Sequence, residues 1–543
     1  MNRKQEKELE IQRMLKDGRL NRRQFLGRTS AMGIAATTAG GLWSSRALAN
    51  MPKMGGHMRC GLNDANTIDS LDSTAYNATT MIVISRSIRD SIVDVGIDGQ
   101  ATPNLAESWE SSPDAKTWRF KIRQGVEFYD GMSGSNDPIK ALTVEDVINS
   151  INVHRGEDTK SAAKGVFEGV SDVRADGNDT VVVEFANANA DGPFIFTDYH
   201  FSVVPTVDGK ADLFSSAGTG CYFLREFDPG VRTTLEKNPN SWQASELGFA
   251  DSVEIIAILD DNARVTALTS GSVDVINRPD LKTIHLLKMA PGVSIVDVPS
   301  NLAYTHPMRT DVPPFDNNDF RLALKYSTPR QDFVDKILFG YGFVGNDQPL
   351  GPQFPSFDRN LQVEFDLDKA RDHLKKSGLE GAEFDMSTSD TAYGGAVDAA
   401  QLFAENWQAI GLRPNIIREP KDGYWSDVWN KKPFCACYWG PRPIEDLILS
   451  IAYVTGAPWN DTVISIPRVD ELVVMARGEL DQAKRTEMYQ EVQQLISMQG
   501  GTIIPAFGSD IAATNDMVGV PEKIGGGWEM DGGHFVKRWW MKG

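Results

Sequence analysis

The chain has 543 residues, 41% hydrophobic and 9% aromatic, with 74 Asp and Glu against 55 Lys and Arg and a formal charge of −19. So acidic a surface makes nucleic acid and anionic lipid poor partners, since both need cationic side chains to replace counterions. The length predicts two or three domains of roughly 100 to 200 residues, and past the first fifty residues no apolar run approaches the ~20 that a bilayer span requires.

The first element is an address. Asn21-Arg22-Arg23-Gln24-Phe25-Leu26 opens a mild Gly/Ala/Thr-rich run to Leu42, and Ala47-Leu48-Ala49 closes it. This order predicts a twin-arginine export signal over residues 1–49, cleaved to release a soluble protein into a bacterial periplasm. Its removal takes ten basic and four acidic residues, leaving 45 against 70.

Residues 56–62 and 91–95 read as strand or buried helix around a polar loop at 63–80. Thr117-Trp118-Arg119-Phe120-Lys121-Ile122-Arg123 alternates as a half-exposed strand does, and Gln124-Gly125 turns the chain. Thr143 caps a helix whose first turn carries Glu145 and Asp146. A strand is expected at 181–185, and a hairpin around Asp228-Pro229-Gly230. Strand 253–259, helix 262–270 and strand 273–276 follow, an order that implies α/β layering with part of the sheet parallel. Helices are then expected at 320–326, 330–339, 367–376, 396–410 and 470–498, with Gly378, Gly411 and Gly500 as left-handed caps. Strands fall at 413–418 and 434–439, and short strands with Gly-rich turns from Thr502 onward.

Motifs of catalysis are missing. There is no H-E-x-x-H, C-x-x-C, G-x-S-x-G after a strand, or Walker loop, and the seven histidines never share a local metal-ligand spacing. Gly340-Tyr341-Gly342-Phe343-Val344-Gly345 fits G-x-G-x-x-G but follows a helix, so it reads as a helix stop and loop. Cys60, Cys221, Cys435 and Cys437 read as buried thiols, although a Cys60–Cys221 bridge is permitted in the periplasm. No cofactor or metal is predicted.

Several segments together resemble the family 5 extracellular solute-binding proteins, the peptide- and nickel-type receptors of ABC importers. They are Leu105-Ala106-Glu107-Ser108-Trp109, then residues 117–131, Leu142-Thr143-Val144-Glu145-Asp146-Val147, and Gly218-Thr219-Gly220-Cys221-Tyr222 with its hairpin. Gly271-Ser272-Val273-Asp274, Phe320-Arg321-Leu322-Ala323-Leu324 and residues 404–412 extend the match. Cys221 stands where the family usually has proline. The resemblance implies an α/β, two-lobed periplasmic-binding-protein fold of the large three-subdomain type with a hinged cleft. The lobe I core would comprise 51–95, 206–297 and 506–543, its inserted subdomain 96–205, and lobe II 298–505.

The resemblance also places the segment after strand 434–439 in the cleft, where dipeptide receptors carry an aspartate for the peptide amino group. Here Arg442 stands there, between Pro441 and Pro443, and a guanidinium so confined suits bidentate carboxylate binding; pairing with Glu445 or Asp446 is the competing reading. Tyr424, Trp425, Trp439 and Trp459 are candidates to cover the ligand from the same lobe, with Asp446 beside them. Tyr76, Asn77, Asn301 and Tyr304 are candidates from the opposite wall and the first crossing. The expected function is a non-catalytic, monomeric receptor for a peptide-like or amino-acid-derived solute, with ABC importer membrane subunits as partners. The alternatives are an exported cofactor- or metal-dependent enzyme and a receptor for a metal chelate.

Overall fold

A computed structural model describes residues 52–543, apart from 421–423, 443 and 458. The expected export signal lies outside the described residues. One sheet runs through both halves of the molecule. Its strands lie in the order Tyr222–Asp228, Arg232–Lys237, Ser252–Ala257, His57–Leu62, Val275–Asn277, Thr502–Asn515, Val293–Pro307 and Cys437–Trp439. Strand His57–Leu62 is parallel to both of its neighbours, as the strand-helix-strand order predicts.

Strands Val293–Pro307 and Thr502–Asn515 pair antiparallel from Val293↔Asn515 to Pro307↔Thr502, with the register shifting between Pro299 and Ala303. They carry the chain from one half to the other and back. Buried side chains gather in several clusters, of which one of the larger, with Leu449, Val473 and Val492, includes Ala303, Ile504 and Phe507 of the ribbon itself. Met58, Ile84, Leu235 and Trp539 belong to another, and Phe120, Val147, Phe196 and Val203 to a third built almost wholly from residues 92–203. Beyond the ribbon, Phe320, Phe384, Phe403 and Trp407 form the largest. Near that core, Glu383–Thr388 and Arg413–Arg418 pair in parallel across helix Ala396–Ala409, a right-sized crossover.

Many elements lie where the sequence places them. Thr143 and Asp146 form a capping box on Val144–Asn152, and Gly378 (φ 70°) and Gly411 (φ 93°) take the left-handed conformation after their helices. All four cysteines are buried and free.

Other expectations are overturned. The single helix at 470–498 is two, Pro467–Gly478 and Gln482–Gln499, because Asp481 caps the second by accepting from the amides of Ala483 and Lys484. Gly500 is extended (φ −67°); the end of that helix is capped by Lys325 Nζ, which donates to the carbonyls of Ser497 at 2.7 Å and Gly500 at 3.0 Å. Helix 330–339 is a short turn, Arg330–Asp332, followed by a π-helical turn, Phe333–Ile337. Gly342–Val344 is an edge strand on Thr502–Asn515 and not a loop. Only Cys437–Trp439 of the strand expected at 434–439 is regular. The C-terminal region begins with a strand of 14 residues instead of short ones, since its partner of 15 residues holds it along its length. Within the polar stretch 63–80 the chain already enters helix Thr79–Ile88, nine of whose ten residues are buried, so no polar face announces it.

Candidate functional site

A cavity of about 790 Å³ lies where the two halves and the C-terminal segment meet. Its wall on the side of the first core includes Tyr76, Arg86 and Asp94; the segment 191–200 adds Phe194, Tyr199 and His200. From the second half come Asn301, Phe354, Arg442 and Trp459, and the C-terminal segment closes the wall with Gly525-Gly526-Gly527-Trp528 and Asp531.

Short-range chemistry sets these side chains. Asp198 Oδ1 accepts from the His200 amide (2.9 Å) and faces His200 Nδ1 at 2.7 Å, while His200 Nε2 lies 2.9 Å from the Tyr76 carbonyl. One imidazole thus pins the Tyr76 loop to the segment that carries Tyr199. The C-terminal wall needs glycine: a Cβ on Gly526 would lie 2.4 Å from the Pro299 carbonyl oxygen and 2.6 Å from Gln353 Cδ. Met530 (φ 54°) and Asp531 (φ 58°) are left-handed, a conformation that costs L-residues and persists only where surroundings enforce it. Asp531 Oδ1 does so here, accepting from the Gly525 amide at 2.8 Å and from Arg538 Nη1 at 3.1 Å.

The cavity's charges are largely matched internally. His534 Nε2 lies 3.0 Å from Asp94 Oδ1, and Arg86 and Arg538 stand 3.7 and 3.8 Å from the same carboxylate. Burial works against the charge of Asp94, yet His534 and these two guanidiniums outweigh it and hold the carboxylate's pKa well below its ordinary value. Asp191 and Arg485, both buried, pair at 2.6 Å across the two halves, and beside them the Ala190 amide donates to the Arg477 carbonyl at 2.7 Å. Among the described residues of the wall, Arg442 is the one arginine with no carboxylate within ion-pair distance. Its Nη1 donates to the carbonyls of Gly440 and Pro441, each at 3.1 Å, and its guanidinium carbon stands 6.0 Å from the centre of the Trp439 ring. Burial lowers its pKa, against the opposing pull of Tyr199 and Asp198.

Of the ten residues singled out from sequence, Tyr76, Asn77, Asn301, Arg442 and Trp459 line this cavity. Asn77 is exposed, Tyr76 donates its hydroxyl to the Leu71 carbonyl at 3.0 Å, and Asn301 Oδ1 accepts from the Gln353 amide at 3.0 Å. The other five sit behind or beside the wall. Tyr304 packs against Tyr393 (4.8 Å) and Phe333 (5.8 Å), and Tyr424 is buried with its hydroxyl on the Ala436 carbonyl. Trp439 packs edge-on against Trp429 and tilted against Trp459, Trp425 is exposed against Tyr438, and Asp446 is paired with Arg477 at 3.0 Å. Asp446 therefore neutralises Arg477 and not Arg442. Pro443 lies outside the described residues. Tyr199, Trp528, Asp531 and the Arg86–Asp94–Arg538 group escaped the sequence reading; the triple glycine before Trp528 was the visible signal of a backbone that something approaches closely.

Two α/β halves joined by a paired two-strand ribbon, with a cavity between them, define a two-lobed solute-binding protein. The profile of "Bacterial extracellular solute-binding proteins, family 5 Middle" matches residues 100–461, and the chain belongs to that family. It is 25% identical over 443 residues to di/tripeptide-binding protein 1 of Pseudomonas aeruginosa (strain UCBPP-PA14), covering 73% of this chain and 79% of that protein. Among solved structures, HbpA2 from Haemophilus parasuis superposes with a TM-score of 0.76 at 19% identity, over 85% of this chain and 96% of that one. The periplasmic binding protein DppA from Helicobacter pylori, in complex with the peptide STSA, superposes with a TM-score of 0.70 at 18% identity, over 92% and 100%. Among the described residues no helix is long and apolar enough to cross a membrane, and no group of three or more His, Cys, Asp or Glu side chains is placed to hold a metal ion.

Proposed function

We propose that the protein is an exported, non-catalytic receptor that captures a peptide-like or amino-acid-derived solute bearing a carboxylate and delivers it to the membrane subunits of an ABC importer. Export follows the twin-arginine address at Arg22-Arg23, which sends the folded chain to the periplasm. The lobes divide near residues 298 and 505, with 96–205 inserted in the first, and the receptor works as a monomer. The peptide-binding names of several relatives support the solute class.

The observation that carries this reading is Arg442: a half-buried guanidinium on the cavity wall that forms no ion pair with a described carboxylate of the wall, while the neighbouring arginines are each paired. A solute carboxylate there gains charge-assisted hydrogen bonds, worth about 1.5–3 kcal/mol. Arg442→Ala should therefore weaken binding by roughly 10- to 100-fold. The test is a melting-temperature screen of the wild type against a panel of peptides and amino-acid derivatives, repeated in the variant. An equal shift in both would remove Arg442 from the site.

A further inference from the structure

Arg442 is not the only unspent donor in the cavity. Trp528 Nε1 is buried and has no hydrogen-bond partner, although the ring lies along the wall. An indole nitrogen can only donate, so this group calls for an acceptor. Tyr199 stands beside it, ring centres 5.1 Å apart and inclined at 41°, and its hydroxyl makes no hydrogen bond among the described residues. The tyrosine ring also leans on His200 at 4.1 Å, whose ring is fixed by Asp198 and by the Tyr76 carbonyl. Arg442 is close enough to Tyr199 for each charge to bear on the other's ionisation.

We infer that Tyr199 Oη and Trp528 Nε1 join the Arg442 guanidinium in a three-donor seat for the solute's terminal carboxylate, making Tyr199 and Trp528 ligand-binding and specificity-determining residues. This rests on the carboxylate-solute reading given above. Most acids of the wall are engaged elsewhere: Asp198 Oδ1 on His200, Asp191 on Arg485, Asp531 Oδ1 on Arg538 and Glu445 on the Ser356 hydroxyl at 2.8 Å; Asp531 Oδ2 is buried without a hydrogen-bond partner among the described residues, and Glu168 is exposed. A seat built from donors accepts an anion or a carbonyl. It binds a terminal amide more weakly, because the amide offers one oxygen in place of two, no charge to meet Arg442, and an NH₂ that the indole N–H and the guanidinium cannot accept from. The three donors come from the insertion (Tyr199), the second half (Arg442) and the C-terminal segment (Trp528), so the seat is complete only while those parts touch. Carboxylate binding and lobe closure are then one event.

The test uses Tyr199→Phe and Trp528→Phe, which keep the ring and remove the donor. The full mature protein is incubated with a mixed-sequence pool of free-acid dipeptides and with its C-terminally amidated counterpart. Retained species are identified by mass spectrometry, and the best is titrated. The wild type should retain acids and bind the matching amide at least about tenfold more weakly. Each Phe variant should lose about five- to tenfold on the acid, with a smaller loss on the amide and an unchanged melting temperature without peptide. Wild-type affinity for the acid in both variants, or equal retention of acid and amide by the wild type, would overturn the seat while leaving the receptor reading intact. Failure of the wild type to retain any acid would remove the carboxylate-peptide reading, and the seat with it.

Discussion

Asp461 shows how a single side chain records its surroundings. It is buried beneath the tryptophan cluster, where Trp429 donates Nε1–H to its Oδ2 at 3.0 Å, and burial raises its pKa to about 7 even though that bond favours the charge. The folded chain therefore holds a proton there between about pH 4 and pH 7 that the unfolded chain has lost, and above pH 7 folding bears a buried carboxylate. Asp461→Asn should melt higher than the wild type at pH 8.5, and the difference should shrink through pH 5 and vanish below about pH 4, as scanning calorimetry across that range would reveal; a constant difference would contradict it. Lys325 is the opposite charge in the same predicament, pushed down to about 7 by burial while its Nζ caps the helix Gln482–Gln499. Lys325→Met leaves those carbonyls bare and should cost about 1–3 kcal/mol in denaturant unfolding. Neither role is legible in sequence, because both depend on what lies above a residue in space. Arg442 was legible only through its neighbours, two prolines and a strand whose place in the family is recognisable.

The elements that organise the site are the two long strands, and the sequence disguised them. Val293–Pro307 contains Pro299 and ends on Pro307, and Thr502–Asn515 contains Pro505, residues that argue against a central strand. In the structure Pro299 adjoins the register shift and Pro307 closes the pairing, where lost donors matter least. The shorter strands and capped helices were legible because their signals are local: alternation at 117–122, the capping box at Thr143, the turn at Asp228-Pro229-Gly230. The glycines around the ribbon follow from tertiary approach alone. Gly526 presses on the Pro299 carbonyl and on Gln353, whose Nε2 donates to that same carbonyl at 2.7 Å. A methyl there meets a backbone oxygen that cannot yield, so Gly526→Ala should destabilise the protein by about 1–3 kcal/mol. Because Gln353 and Gly526 both line the cavity, solute affinity should fall in the same variant. Wild-type stability together with wild-type affinity would contradict this account of the ribbon.

At the scale of the whole molecule, the question is what holds the halves together around the cavity. The large hydrophobic cores lie within one half or the other, a small cluster of Ile284, Tyr341 and Ile511 bridges them beside the ribbon, and at the cavity wall the halves also meet through polar groups: the Asp191–Arg485 pair and the bond from the Ala190 amide to the Arg477 carbonyl. Such a contact is well suited to reversible closure. A buried ion pair offsets its own desolvation only while both members are present, and removing one leaves an uncompensated charge at a cost of about 3–5 kcal/mol. Here that cost falls on the touching arrangement, because in an open one each group returns to water. Asp191→Ala and Arg485→Ala should therefore each shift the solute-free protein toward an open form with a larger radius of gyration in X-ray scattering. The double variant should lie closer to the wild type than either single one, since it buries no lone charge. Additive behaviour, the double variant being the most open of the three, would mean that the pair itself drives closure; unchanged radii in all three would mean that the ribbon alone sets the angle between the halves.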